Sequence, residues 1–302
     1  MLSKYEANIP TRLDRYLKRL YPHFTQGLIE QALRKRLIKV NDKKTTASYR
    51  LIEDDLVFID NKIHQIPQKD IKLFSPSNAT IKLADQILNQ YLIYQDHNIL
   101  AINKPAGLAV QGGSKINLSI DNALKHLNQN GYNLKLVHRL DKETSGVLLI
   151  AQNYLAATQL AKAFEGKLIQ KTYLAIIEGH PVKLSGKISG FLSKNRNGVY
   201  DFIEENESQG KLAITYYQVL QSYKDYCLIE FNPLTGRTHQ LRFHAKKIGC
   251  PIVGDKKYAS NLSVIKSAKM LLHAKSVVLP KEIFNQEIKI EADLPDYFSG
   301  FC

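Results

Sequence analysis

The sequence predicts an α+β protein of two domains: a small, basic αβ domain, then a larger one with a mixed, mainly antiparallel sheet flanked by helices. Three observations predict it. A chain of 302 residues with 44% apolar content exceeds the usual size of one hydrophobic core and suffices for two. Near its start, apolar residues recur at helical spacing and then alternate as in a short strand, whereas later stretches are rich in β-branched and aromatic residues. Between these regions, over 61–86, a Lys, Gln, Ser, Asn and Pro mixture with Pro67 and Pro76 reads as a connection. The expected division is a first domain over 11–60, a linker over 61–87 and a second domain over 88–302.

In the first domain Leu13, Tyr16, Leu17 and Leu20 share one face of a helix over 11–21. After Pro22, Thr25 is placed to cap a second helix with Leu28, Ile29, Ala32 and Leu33 inward. The polar side and end of that helix bring Arg34, Lys35, Arg36, Lys39, Lys43 and Lys44 together, while Ile38 and Val40 begin a strand alternation that resumes over 56–59. In the second domain 92–103, 133–137 and 147–152 read as strands. Residues 153–164 read as a helix with Ala157, Leu160, Ala161 and Phe164 inward. Further strands are expected over 172–178, 213–220 and 226–231, and no internal repeat is visible.

A net charge of +14 favours phosphate-rich partners, because lysines and arginines that replace condensed counterions release them. Nucleic acid leads, ahead of an anionic membrane surface. The longest apolar stretch, around 146–151, falls far short of the roughly 20 residues that span a bilayer. Residues 1–9 lack the apolar core of a secretion signal, so a cytoplasmic protein is expected. Cys227, Cys250 and Cys302 form no CxxC pair, which supports neither a disulfide framework nor structural zinc. Nothing signals a protein partner, and a monomer is expected.

Two clusters carry candidate chemistry. The first, His138-Arg139-Leu140-Asp141-Lys142-Glu143-Thr144-Ser145-Gly146, lies between apolar strands and so on a loop. A carboxylate among cationic neighbours stays ionised, available as nucleophile or base. Taken alone, this composition still favours an ordinary solvated turn. The second, Pro233-Leu234-Thr235-Gly236-Arg237-Thr238-His239-Gln240-Leu241-Arg242-Phe243-His244, offers Arg237 and Arg242 for charge-assisted bonds to a phosphate or a buried carboxylate; its plain alternative is the start of an amphipathic helix. His239 and His244 lack HExxH spacing, so no metal is expected. No Walker A or GxGxxG run follows a strand, which argues against a nucleotide cofactor; none of any kind is expected. His138 and His273 read as structural histidines.

These residues together resemble a known family. HRLDKETSG over 138–146, Lys171-Thr172-Tyr173, TGRTHQLRFH over 235–244 and GCPIVGDKKY over 249–258 are similar, in order, to the motifs of the RluA family of pseudouridine synthases. Asn103-Lys104-Pro105-Ala106-Gly107 and Leu272-His273-Ala274 match the opening and closing signatures, so the likeness runs over about 90–280. Residues 11–60 resemble an S4 RNA-binding domain. Val110-Gln111-Gly112-Gly113-Ser114 is closest to the C-type of the family's large-subunit ribosomal synthases. Three departures stand out. Arg36 and Asp54 occupy places where the S4 pattern usually has Gly, strained by roughly 1 kcal/mol if those places need positive φ. Cys250 replaces a frequent His.

The resemblance implies isomerisation of uridines in large-subunit ribosomal RNA, with the target base flipped into a pocket. It implies Asp141 as nucleophile, Arg242 as its basic partner with Arg237 as the alternative, Tyr173 stacking on the base and helping to take the C5 proton, and Arg139 filling the vacated space. Arg34, Lys35, Arg36, Lys39, Lys43 and Lys44 are the expected RNA contacts of the first domain. Two competing readings remain: a sibling synthase acting on another ribosomal helix or on transfer RNA, and a non-catalytic ribosome-assembly factor.

Overall fold

The computed structural model describes residues 2–6, 10–66, 74–112, 118–197, 200–259, 265 and 267–301. The chain divides into two compact units, 1–75 and 76–302.

In the first unit the helices are Leu13–Leu20 and Gln26–Arg34, with Leu13, Tyr16 and Leu17 buried from one and Leu28, Ile29, Ala32 and Leu33 from the other. Thr25 caps the second by accepting from the Leu28 amide at 3.2 Å. Leu20 departs from expectation: at the last position of its helix, it is exposed. Strands Ile38–Val40 and Leu56–Ile59 pair as the alternation predicts, Ile38 opposite Ile59 and Val40 opposite Val57. Strand Leu2–Lys4, which the polar N-terminus did not announce, adds to the other edge of Leu56–Ile59. Arg36 and Asp54 both adopt positive φ, 58° and 70°.

The connection expected over 61–87 is corrected at both ends. A short 3-10 turn, Asn61–Gln65, buries Ile63 in the first unit's core, which Ile66 also joins. Helix Asn78–Asn89, capped by Ser77 accepting from the Thr80 amide, buries Leu83, Ala84 and Ile87 in the second unit. The polar exposed residues of that helix masked its apolar stripe. Residues 67–73 lie outside the described residues, as do Gly113 and Ser114 of the spacer run and Cys302.

Among the described residues, the second unit is built on an 11-stranded sheet. From one edge its main path runs Tyr200–Glu205, Ser185–Asn197, Lys211–Ser222, Tyr226–Pro233, Gln170–Glu178, Leu272–Leu279, Ser145–Ala151, Ile99–Lys104 and Leu92–Gln95. Every pairing is antiparallel except that of His273 and Ala274 with Ser145 and Gly146. The single strand expected over 92–103 is a hairpin: the Asp96 carboxylate accepts from the amides of Asn98 and Ile99 and turns the chain.

Strand Ser145–Ala151 is buried throughout and feeds two cores by its alternation. Leu148 and Ile150 meet helices Asn78–Asn89 and Ile120–Gln129 on one face. Val147, Leu149 and Ala151 meet helix Tyr154–Glu165 on the other. That last helix buries Ala156, Leu160 and Ala163, with Ala157 and Phe164 at the margin and Ala161 exposed, so its inward face is rotated from the expected one. Cys227 and Cys250 are buried, free of any disulfide and part of the core beneath helix Gln240–Lys247.

Candidate active site

Asp141 sits on the loop between strands Lys135–Leu136 and Ser145–Ala151, and that loop is fastened at several points. His138 Nε2 accepts from the Leu149 amide at 2.8 Å while its ring stacks on Phe164. The Gly107 amide donates to Lys142 O. Beneath, the fully buried Lys104 ammonium donates to Pro105 O, Leu108 O and Lys142 O at 2.9, 2.9 and 3.1 Å, which uses all three of its protons. Burial draws this amine down to about 7 against the opposing charges of Glu143 and Asp141.

At the end of the loop Gly146 holds φ +107°, and a Cβ there would lie 2.2 Å from Ala274 O. Only glycine lets the two strands meet so closely. His273 is structural too, joined to Ser145 Oγ at 2.9 Å.

The segment 233–244 approaches from the other side. Gln240 is buried and ties it down: its carbonyl oxygen accepts from Thr235 Oγ1 and the Arg237 amide, and its amide donates to Ile214 O and Thr215 Oγ1. His239, just before helix Gln240–Lys247, is left-handed at φ 53°, a strained conformation of the kind that clusters at functional sites. The Tyr258 hydroxyl bonds its Nδ1 at 3.0 Å. Burial holds this imidazole down at about 4 and pushes the Tyr258 phenol up to about 12. The ring's other nitrogen, Nε2, lies 4.0 Å from Asp141 Oδ2.

Of the two arginines proposed as partner of Asp141, Arg242 is the one that meets it, Nη1 to Oδ2 at 3.7 Å. Arg237 instead donates from Nε to Leu212 O at 3.1 Å and lines the cleft. Yet the stronger bond of Arg242 goes elsewhere. Nε and Nη2 each reach the carboxylate of buried Asp255 at 2.7 Å, a bidentate pair. Burial works against the Arg242 charge, but the bonds from Asp255 and the charges of Asp255 and Asp141 outweigh it and raise its pKa. Asp255 Oδ1 also accepts from the amides of Lys257 and Tyr258.

Tyr173 lies on strand Gln170–Glu178 where pairing with Leu272–Leu279 slips between Thr172 and Tyr173, an irregularity of the kind that re-aims a side chain. Burial first, then the charge of Asp141, pushes its phenol well above the ordinary value. Asp141, Tyr173, Arg139, Arg237, His239 and Arg242 line one cleft of about 150 Å³. A wider hollow of about 480 Å³ adjoins it, sharing Arg139, Lys171, Tyr173 and Arg237. Every second-domain residue proposed from sequence therefore borders one cleft. In the first unit Arg34, Lys35, Arg36, Lys43 and Lys44 are exposed, and Lys39 is engaged by Asp42 at 2.7 Å.

Sequence reading missed Lys104 and Asp255 as site residues. Lys104 has only backbone carbonyls as partners, which leave no mark in a sequence. Asp255 answers an arginine thirteen residues earlier, with no local charge pattern to flag it. Among the described residues no group of three His, Cys, Asp or Glu is arranged to hold a metal, and no helix is long and apolar enough to cross a membrane.

Comparison with known proteins places this geometry. Residues 98–247 match the RNA pseudouridylate synthase family and residues 11–57 the S4 domain. The chain is 51% identical to ribosomal large subunit pseudouridine synthase C of Rickettsia bellii, over 99% of either chain. The chain belongs to the RNA pseudouridylate synthase family. It is a pseudouridine synthase, an isomerase, with an N-terminal S4 domain. The enzyme of the same name from Vibrio cholerae is 30% identical over 94% of this chain and 89% of its own. Human RNA pseudouridylate synthase domain containing 4 superposes with a TM-score of 0.60 at 30% identity, over 73% of this chain and 94% of that one.

Proposed function

We propose that this synthase isomerises uridines of large-subunit ribosomal RNA, with Asp141 as nucleophile and the target nucleotide flipped from its stack into the cleft. The names of its relatives and the S4 domain support the substrate. The observation that carries the chemistry is the Asp141 carboxylate at the cleft, beside Tyr173 and an Arg242 that Asp255 holds in place.

The reaction breaks the bond from ribose C1′ to uracil N1, turns the base and forms a bond from C1′ to C5. N1 gains a proton and C5 loses one, so no electrons leave the nucleotide. Asp141 attacks the nucleotide, and C1′ of the sugar and C6 of the ring are both positions that this carboxylate can serve. Arg242 keeps the carboxylate ionised and aimed when a base covers it. Tyr173 stacks on the flipped ring. Because Asp141's charge is part of what keeps the Tyr173 phenol protonated, bond formation at Asp141 makes that hydroxyl easier to ionise, in time for loss of the C5 proton. Arg139, exposed at the rim of both hollows, fills the gap that the base leaves in the RNA, whose unstacking costs a few kcal/mol.

The test is Asp141→Asn as the sole copy in cells, with pseudouridines mapped in large-subunit ribosomal RNA. The expected result is loss of the modification with RNA binding retained. Full modification would end the reading, and modification lost only from transfer RNA in a knockout strain would move the substrate.

A further inference from the structure

We propose that Lys171 grips the phosphate of the flipped nucleotide where the two hollows adjoin, with that phosphate lying against Gly236; the inference rests on the RNA substrate proposed above. The cleft that holds Asp141 and the wider hollow beside it share one stretch of wall, made of Arg139, Lys171, Tyr173, Thr235, Gly236 and Arg237. Cations make up half of that wall, and no acid belongs to it.

The fold leaves the charge of Lys171 unanswered. This residue is partly buried on strand Gln170–Glu178, and burial draws its pKa down with no carboxylate to oppose the change. Among the described residues its ammonium makes no hydrogen bond or ion pair. Lys104 is the contrast, since all three of its protons go to carbonyls. Each hollow is lined by one acid, Asp141 in the cleft and exposed Glu165 in the wider one, and neither bonds Lys171. The Thr235 hydroxyl is spent inward, on Gln240 and the Ile214 amide. Taking an ammonium out of water costs free energy that an arriving anion offsets, and lysine meets phosphate as a point charge.

Gly236 points to the same occupant independently. A Cβ built there would meet no protein atom within 4 Å, and its φ lies outside the left-handed range. Neither packing nor backbone conformation therefore calls for glycine at this place. Close approach of a ligand to the chain does. A base that lies beside Asp141 and Tyr173 fills the cleft of about 150 Å³, and its sugar and phosphate extend over the shared wall towards the hollow of about 480 Å³. The phosphate that Lys171 takes is therefore the target nucleotide's own, and holding it resists the return of the base to its stack. Lys171 also acts inward. After burial, its charge helps to hold the His138 imidazole down at about 3, which keeps Nε2 free to accept from the Leu149 amide. At about pH 8 an imidazole is neutral without that help, so a variant assayed there reads the RNA contact.

The test compares wild type with Lys171→Gln, Lys171→Arg and Gly236→Ala at about pH 8, using Lys281→Gln as a charge control because its short helix, Lys281–Phe284, lines neither hollow. The probes are unmodified large-subunit ribosomal and transfer RNA transcripts, titrated across salt. Lys171→Gln should lose about 0.7–0.9 from the slope of log affinity against log salt, and Lys171→Arg should keep it. On the transcript that wild type modifies, Lys171→Gln and Gly236→Ala should each raise KM by about three- to tenfold while kcat holds, the mark of a binding contact kept through the reaction. Gly236→Ala should unfold in urea as wild type does, because its added methyl meets no protein atom. Lys281→Gln should change none of these. An unchanged slope for Lys171→Gln on both transcripts overturns the grip, whether or not either transcript is modified. A wild-type KM for Gly236→Ala overturns the close approach. Modification of transfer RNA alone, with the slope change present there, counts against the ribosomal substrate and leaves the phosphate grip standing.

Discussion

At the scale of single residues, the site works by giving one charge two partners. Arg242 lies between Asp141 at 3.7 Å and Asp255 at 2.7 Å. The shorter, bidentate and buried contact fixes the guanidinium, and the longer one leaves the Asp141 carboxylate free to reach a substrate. Were Arg242 clamped as tightly to Asp141, the lone pairs of the proposed nucleophile would be occupied. Asp255 thus acts at a distance from the chemistry by deciding where a cation stops. Asp255→Asn keeps the shape and one acceptor but strands a buried cation, and breaking such a pair typically costs about 3–5 kcal/mol. Urea unfolding of the full-length variant should show a loss of that order in the transition of the catalytic unit. A loss under about 1 kcal/mol would mean that Asp141 alone can hold Arg242.

At the scale of elements, the end of helix Gln26–Arg34 shows a local rule broken and tolerated. The Leu37 amide bonds Ala32 O and the Arg36 amide bonds Leu33 O, the two bonds of a Schellman motif, whose pivot is left-handed and usually Gly. Arg36 is that pivot, at φ 58°. Arg36→Gly should stabilise the S4 unit by up to about 1 kcal/mol, read from its thermal or urea transition; a less stable variant would show that Arg36 makes compensating contacts. The departure was legible because glycine's absence can be read in a sequence against a motif. Paired apolar faces were legible for the same kind of reason, as with Leu28, Ile29, Ala32 and Leu33, or the alternation of Ile38 and Val40. What escaped was structure with weak periodic signal or non-local cause. Helix Asn78–Asn89 hid its stripe among polar residues, the 92–103 run turned on one aspartate cap, and strand Ser185–Asn197, with two glycines and several polar residues, gains its place by pairing with Lys211–Ser222. In the site, motif order located Asp141, Tyr173 and Arg242, whereas the burial of Lys104 and the bond from Asp255 depend on chain segments brought together only by folding.

At the scale of the molecule, charge is spread unevenly. Residues 1–75 hold 15 Lys and Arg against 9 Asp and Glu, so a quarter of the chain carries +6 of the net +14. Around the end of helix Gln26–Arg34 these charges are unequal in availability. Arg34 and Lys35 are exposed, whereas Lys39 already has Asp42 as a counterion at 2.7 Å. A lysine that must leave a carboxylate to meet a phosphate releases fewer counterions in the exchange than one that is bare. Charge removal should therefore act in a ranked way on RNA binding. Arg34→Gln and Lys35→Gln should each weaken affinity and reduce the slope of log affinity against log salt by about 0.7–0.9, while Lys39→Gln should reduce it by less. Asp42→Asn should strengthen binding by releasing Lys39. If titrations of a large-subunit ribosomal RNA fragment across salt give one unchanged slope for all four variants, the S4 unit contributes nothing electrostatic and the catalytic unit supplies the whole attraction.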